Sequence, residues 1–330
     1  MAALLLDASD VRALLTPEDC VAVLEEAFAT FARGTVVQPL RVVAWRPDEH
    51  GAMASMPAFI GEPPILGAKV IAVFPANRSR GIPSHQGVVV LHDPEDGRLL
   101  AILDAGAVTS LRTAAASALA TKILANADAT VLALLGSGEQ AREHLRALCT
   151  VRPICEVRVW SRTPGHALEF AKRALDMHGL TVRAAKSAEE AVRGAEIICT
   201  LTAATAPILR GEWLAEGAHV NAVGASTPAF RELDAEAVAR SRLFADSRAS
   251  LAAESMDYLG ALKEGAIGED HLLGDLGDLV TGRVRGRTDH REITLFKSLG
   301  LALEDLAAAR MVLQRAREQG RGTPLALGGE

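Results

Sequence analysis

Thr130-Val131-Leu132-Ala133-Leu134-Leu135, leading at once into Gly136-Ser137-Gly138-Glu139-Gln140-Ala141, decides the fold of this chain. The first half is an apolar run of strand length, and the second is a GxGxxA turn that opens a helical pattern through Leu148. In that setting the first glycine permits a tight turn and the second lets the backbone approach a pyrophosphate. Ala141 is small enough for the helix to lie close on the strand, and the helix N-terminal amides meet the anion. Gly136, Ser137, Gly138, Glu139 and Gln140 are therefore candidate dinucleotide-binding residues. The competing reading, a plain glycine turn, is weakened by the rhythm of the chain downstream. Strands are expected at 155–160, 181–184, 196–201, 218–223 and 242–245, alternating with helices. Such alternation predicts right-handed crossovers and an α/β architecture with a Rossmann-type, doubly wound parallel sheet.

The second strand, Glu156–Trp160, runs into Ser161-Arg162-Thr163, where an NAD-specific site would carry an acid for the ribose 2′-hydroxyl. No Asp or Glu stands there. A carboxylate would repel a 2′-phosphate, whereas Arg162 can grip one in a fork with the hydroxyls of Ser161 and Thr163 donating as well. The loop thus favours NADP(H), the alternative being that Arg162 is a solvated loop arginine.

Upstream, Thr16-Pro17-Glu18-Asp19 is a helix start with Thr as N-cap, and Val21, Leu24, Ala27, Phe28 and Phe31 recur at helical spacing until Gly34. From Leu40 to Ala105 short Val- and Ile-rich runs are broken by turn clusters at 47–51 and 93–97, which predicts an antiparallel sheet. Thr109 or Ser110 is expected to cap an Ala-rich helix reaching about Ala125. Downstream, residues 274–287 are rich in Gly and charge, residues 294–319 read as one long helix, and the last eleven residues read as a frayed tail.

Bulk properties narrow the classes of function. With 330 residues, 49% of them hydrophobic and 23% charged, the chain can bury the cores of two domains. Net charge is −6, and the basic residues are scattered, so nucleic acid is not an expected partner. No apolar run is long enough to span a bilayer and the start lacks a secretory pattern, which together predict a cytoplasmic protein without a membrane partner. Cys20, Cys149, Cys155 and Cys199 form no CxxC and the nine histidines no HxH or HExxH, so neither a disulfide framework nor a metal site is indicated.

A dinucleotide loop names the reagent, and the substrate must be inferred elsewhere. Arg41 at a strand start, Lys69 within the apolar strand Leu66 to Phe74, and Arg112 in the expected first turn of its helix are candidate anion holders. A lysine between Gly67-Ala68 and Val70-Ile71 is costly to bury unless an anion meets it, yet on an alternating strand it can face water. Arg112 would combine helix dipole with a bidentate guanidinium, or else form a structural salt bridge. Arg41 alone fits a solvated face.

Arg112-Thr113-Ala114-Ala115, the 136–141 loop, Val220-Asn221-Ala222-Val223-Gly224-Ala225, Arg231-Glu232-Leu233 and Phe296-Lys297-Ser298-Leu299-Gly300 together resemble the ornithine cyclodeaminase and mu-crystallin family. Pro83-Ser84-His85-Gln86, Trp160 to Thr163 and Pro207 to Trp213 resemble its mu-crystallin branch, whose activity is ketimine reduction. The resemblance implies a homodimer in which 1–116 with 295–330 form an α+β substrate and dimerisation domain, and 117–294 form the NADP(H)-binding domain. It implies that Arg41, Lys69 and Arg112 hold a substrate carboxylate, with Lys69 and His85 as candidate catalytic groups. It also implies that Ser84, His85, Arg112, Thr113, Thr202, Val223 and Ser298 bind the cofactor.

A departure separates two branches of that family. Cyclodeaminases carry a glutamate in the strand before the family lysine and an aspartate after the glycine that follows the fifth Rossmann strand. Met56 and Ser226 stand at those places. Without the acid/base pair, cyclodeamination loses a proton shuttle worth about a hundredfold or more per group. The expected reaction is therefore NADPH-dependent reduction of a cyclic ketimine with a 2-carboxylate on a five- or six-membered ring. Reductive amination of a 2-oxo acid, ornithine cyclodeamination and NADPH-dependent binding of a small ligand without turnover are the alternatives.

Overall fold

The computed structural model describes residues 2–48, 50–174 and 180–326, so Glu49 of the 47–51 turn and the end of the expected tail lie outside the described residues. The chain divides into two compact units, 1–112 with 301–330 and 113–300.

In the second unit Val131–Leu135 is a central strand of an eight-stranded sheet, ordered Thr181–Ala184, Glu156–Trp160, Val131–Leu135, Ile197–Thr200, His219–Ala222, Thr294–Lys297, Arg242–Ala245, Leu272–Asp275. Every neighbouring pair is parallel. From Val131–Leu135 the strands that follow in sequence lie first on one side (156–160, 181–184) and then on the other (197–200, 219–222), which makes the switch point of a doubly wound sheet. Ile197–Thr200, His219–Ala222 and Thr294–Lys297 are buried along their whole length, as strands covered on both faces must be.

Two expectations fail here. Residues 294–319 are not one helix: Thr294–Lys297 is a strand inserted between His219–Ala222 and Arg242–Ala245, and the helix is Ala302–Gln319. A four-residue segment is too short for its periodicity to distinguish strand from helix, and its place inside the sheet is set by tertiary pairing. Leu272–Asp275 is a further strand at the edge of a stretch whose glycines masked it.

In the first unit the sheet runs Thr323–Leu325, Ala3–Leu6, Leu99–Asp104, His85–His92, Pro64–Val73, Ala52–Gly61, Val36–Val37, with Val42–Trp45 also on Ala52–Gly61. It is antiparallel from 36 to 104, as expected, but Ala3–Leu6 joins Leu99–Asp104 in parallel. Part of the expected tail, Thr323–Leu325, pairs with Ala3–Leu6, a contact between chain ends that local reading cannot see.

Strict alternation divides this sheet into two faces. Ala54, Met56, Ala58, Ile65, Lys69, Ile71, Val89, Leu91 and Leu103 are buried on one. Helices Pro17–Ala32 and Ala302–Gln319 pack there; the first is capped as expected by Thr16, whose hydroxyl accepts from the Asp19 amide. Gly67 leaves no room for a side chain, since a Cβ there would lie 2.3 Å from the Val90 carbonyl oxygen of the neighbouring strand. Among the described residues no helix is long and apolar enough to cross a membrane.

The helix expected from Thr109 or Ser110 begins at Ala105 and runs to Leu124, because Asp104 Oδ1 accepts the Ala107 amide at 2.7 Å. Arg112 thus sits in the third turn, beyond reach of the N-terminal dipole that a first-turn placement would have given it.

Candidate active site

In the first unit, Lys69 lies on Pro64–Val73 with only 3% of its surface exposed, and Arg112 on Ala105–Leu124 with 4%. The anions that meet them belong to the protein. Asp305 Oδ2 lies 2.7 Å from Lys69 Nζ, and its other oxygen, Oδ1, accepts from Arg112 Nε at 2.9 Å. Glu304 Oε2 accepts from Arg112 Nη1 at 2.7 Å, while Oε1 accepts the Leu301 amide at 3.0 Å. Both carboxylates are fully buried in the first turn of Ala302–Gln319, where the unsatisfied amides favour negative charge. Thr109 Oγ1 is a distant second partner of Lys69 at 3.5 Å.

Burial pulls the Lys69 ammonium down to about 8; the Asp305 carboxylate resists this, and the charges of Arg112 and Arg41 add to the depression. Lys69 is thereby protonated at neutral pH but within reach of deprotonation. For Arg112 burial also opposes the charge, yet Asp305 and Glu304 more than offset it and hold the guanidinium firmly cationic. Arg41, half-buried just before Val42–Trp45, is close enough for its charge to act on Lys69, so the three expected anion holders share one neighbourhood. Ser84 and His85 lie at the start of His85–His92, with Ser84 Oγ 3.0 Å from His85 Nδ1 and His85 exposed.

Met56 lies opposite Lys69 in the register of Ala52–Gly61 and Pro64–Val73, buried on the same face. Met56 therefore presents a thioether, not a carboxylate, on the face that carries Lys69. Ser226 lies in the loop after His219–Ala222.

In the second unit the glycine loop has the shape its sequence requires. Gly136 has φ +125°, and a Cβ there would come 2.8 Å from the Leu201 carbonyl oxygen, so no side chain fits. Gly138 is the N-cap of Glu139–Cys149; a Cβ there would meet nothing within 4 Å, and no side chain caps the helix amides. Ala141 is fully buried. The backbone is thus open on the side from which a pyrophosphate would approach, and the loop fits a dinucleotide. The Gly136 amide donates to the Trp160 carbonyl at 2.8 Å, which sets the loop beside Ser161, Arg162 and Thr163. Arg162 is exposed, and among the described residues no carboxylate pairs with it.

Thr202, Val223 and Ser298 follow the C-terminal ends of Ile197–Thr200, His219–Ala222 and Thr294–Lys297, the edge at which parallel sheets bind ligands. Thr113 opens the second unit, buried on the helix that carries Arg112.

The sequence reading missed the carboxylate that holds this edge together. Glu232, fully buried, accepts from Thr200 Oγ1 at 2.7 Å and the Gly224 amide at 2.8 Å on one oxygen, and from the Thr202 amide and hydroxyl at 2.6 and 2.7 Å on the other. Asp257 in turn accepts the Glu232 and Leu233 amides and receives Lys297 Nζ at 2.9 Å. Burial raises the Glu232 pKa, with Lys297 and the threonine donors opposing. The motif Arg231-Glu232-Leu233 is visible in sequence, but its pairing with Thr200 and Thr202, about thirty residues upstream, is not.

The family model for ornithine cyclodeaminase/mu-crystallin proteins matches residues 1–320. The chain belongs to the ornithine cyclodeaminase/mu-crystallin family. It is 40% identical over 292 residues to ketimine reductase mu-crystallin of Mus musculus, covering 88% of this chain and 89% of that one. Among solved structures it is similar to Thermococcus litoralis Delta(1)-pyrroline-2-carboxylate reductase in complex with NADH and L-proline, at TM-score 0.95 and 37% identity over 98% of this chain and 100% of that one. It is similar also to an archaeal alanine dehydrogenase dimer with bound NAD, at TM-score 0.93 and 32% identity over 99% and 100% of the two chains. Rossmann-type architecture is common to these relatives and this chain.

Proposed function

We propose that this protein reduces the C=N bond of a cyclic imino acid bearing a 2-carboxylate, using NADPH. The broader statement, a nicotinamide-dependent oxidoreductase acting on C=N or CH–NH bonds, follows from its place beside a ketimine reductase and a pyrroline-2-carboxylate reductase. The observation that carries the finer reading is the buried pair Lys69 and Arg112, two cations fixed on one carboxylate, Asp305.

Lys69 and Arg112, with Arg41 beside them, form a preorganised receptor for a small carboxylate, and charge-assisted hydrogen bonds orient the ring that carries it. Burial of both cations keeps water from competing for that carboxylate. Lys69 holds a proton at Nζ below about pH 8, which keeps the site cationic. A protonated imine is already electrophilic, so the chain supplies orientation and charge placement rather than strong acid catalysis. His85, bonded to the Ser84 hydroxyl, is the candidate for relaying a proton to solvent. The cofactor would be held by residues 136–140, with Ser161, Arg162 and Thr163 on the 2′-phosphate and Thr202, Val223 and Ser298 along the same sheet edge. When bound, it supplies the hydride for the C=N carbon.

Met56 opposite Lys69 argues against cyclodeamination. Reductive amination of a 2-oxo acid is the second reading, favoured by the likeness to the alanine dehydrogenase, and it would use the same carboxylate receptor. A homodimer is proposed as well, since Val37, Val42, Met53, Phe59 and Leu66 are exposed on the outer face of the first unit's sheet.

The deciding experiment monitors NADPH and NADH absorbance with five- and six-membered cyclic imino acids, and with pyruvate plus ammonia and ornithine in parallel. Rapid oxidation by a cyclic imine, faster with NADPH, is expected. Silence with imines but turnover of pyruvate and ammonia would replace this reading by the second; proline formed from ornithine would overturn both.

A further inference from the structure

The cluster around Lys69 holds more charge than a structural contact calls for. Lys69, Arg112, Glu304 and Asp305 are each at most 4% exposed, on three different elements. Replacing such a buried ionic group by well-packed apolar side chains is commonly neutral or stabilising, so its presence is poorly explained by stability alone. The geometry is also incomplete. An ammonium has three N–H donors, but Lys69 has one close ionic partner, Asp305 Oδ2 at 2.7 Å and outside hydrogen-bonding geometry, and a long contact to Thr109.

We propose that Asp305 is a positioning residue: its two oxygens, one on Lys69 Nζ and the other on Arg112 Nε, fix both cationic heads so that their remaining N–H groups meet one substrate carboxylate together. This rests on the reading of Lys69 and Arg112 as the substrate's carboxylate holders. Every element packed on Lys69 is consistent with it. The neighbouring strands present Met56 and Val89, which carry no charge. The helix Ala105–Leu124 contributes Arg112 and Thr109, and the segment before Val42–Trp45 contributes Arg41. Ala302–Gln319 contributes Asp305 and also Glu304, which accepts from Arg112 and from the Leu301 amide. Asp305 pairs with Lys69 as an ion at 2.7 Å, and its charge holds the ammonium's proton against burial and two positive neighbours.

The experiment compares Asp305→Asn, Asp305→Glu and Lys69→Met with the wild type in steady-state imine reduction across pH, with separate KM values for imine and NADPH. For Asp305→Asn the high-pH limb should move down from about 8 by roughly 1 unit or more, as expected on loss of an opposite charge in contact. Its imine KM should rise about tenfold or more, the scale of one charge-assisted hydrogen bond, while the NADPH KM stays put. Asp305→Glu, which keeps the charge and lengthens the reach, should leave the limb in place and raise the imine KM; it decides the matter if the Asn variant does not fold. A limb and an imine KM unmoved in the folded variant overturn the positioning role, even where Lys69→Met is inactive. Full turnover by Lys69→Met would instead refute the reading of the site on which the role rests.

Discussion

Met56 and Lys69 are paired across adjacent antiparallel strands, both buried on the face that packs on Ala302–Gln319. Side chains so paired have Cβ atoms roughly 4.5–5.5 Å apart, so the residue at 56 can tune the lysine directly. Turnover requires the Lys69 ammonium and should fall as pH rises through about 8. Met56→Glu puts a second carboxylate beside it and should move that fall upward by about 1 to 3 units. A pH profile of kcat/KM checks this, and an identical limb in both proteins would show that residue 56 does not reach Lys69.

Arg112 is tied to both buried carboxylates, so its removal has two consequences. Arg112→Ala should lose roughly 2–5 kcal/mol of transition-state binding, through loss of its contact to the substrate carboxylate. It should also destabilise the fold by about 3–5 kcal/mol, because Glu304 and Asp305 lose their guanidinium. Denaturant titration separates the second effect from the first. Arg112→Lys cannot bridge both acids and should fall between the two proteins in both measurements. Wild-type stability with lost turnover would leave Arg112 a ligand holder without a structural role.

Arg162 is exposed one residue beyond Ser161, next to the glycine loop. If it grips the 2′-phosphate, Arg162→Ala should raise the KM for NADPH about tenfold or more, the scale of a charged hydrogen bond, and leave that for NADH nearly unchanged. Equal effects on both cofactors, or a wild type that prefers NADH, would make Arg162 an ordinary loop arginine.

What the sequence could reveal depended on how local the cause was. Gly136 was legible because its positive φ and its closeness to Leu201 leave no room for a side chain, and the parallel strands from 131 to 245 were legible from their apolar runs. Lys69 could be singled out because an ammonium amid Gly, Ala and Val demands an anion. Which anion could not be read. Asp305 lies more than two hundred residues away in what looked like the interior of a long helix, and only the true start at Ala302 places it in the first turn. The strand Thr294–Lys297 was hidden for the same reason, since its partners His219–Ala222 and Arg242–Ala245 are distant in sequence. Glu232 carries no local sign of the loops it ties.

Asp19 and Arg315 join the helices Pro17–Ala32 and Ala302–Gln319, with Asp19 Oδ2 accepting from Arg315 Nη1 at 2.5 Å. The Arg315 hydrogen bond holds the Asp19 carboxyl down to about 2, below its ordinary 3.8. A depressed folded-state pKa contributes stability that is complete above the ordinary value and is lost as pH falls toward the folded one. Asp19→Asn should therefore cost on the order of 1 to 2 kcal/mol near neutrality, allowing for partial exposure. The gap from wild type should close between about pH 4 and pH 2. Denaturation series at several pH values test this, and a gap independent of pH would show the pair contributes nothing through ionisation.

The outer face of the first unit's sheet carries an apolar stripe. Alternation that buries Lys69 turns Leu66 outward, and the paired Phe59 lies beside it, with Val37 and Val42 on the same side. Such a stripe on a strand-rich surface is costly in water and suits a second copy of the chain. Phe59→Asp with Leu66→Lys should leave the buried face untouched, because both side chains point away from it, and should shift the protein from dimer to monomer in light scattering. The melting temperature should then depend on protein concentration in the wild type alone. A wild type that is monomeric at micromolar concentration, or a double variant that stays dimeric, would assign the stripe no role in assembly.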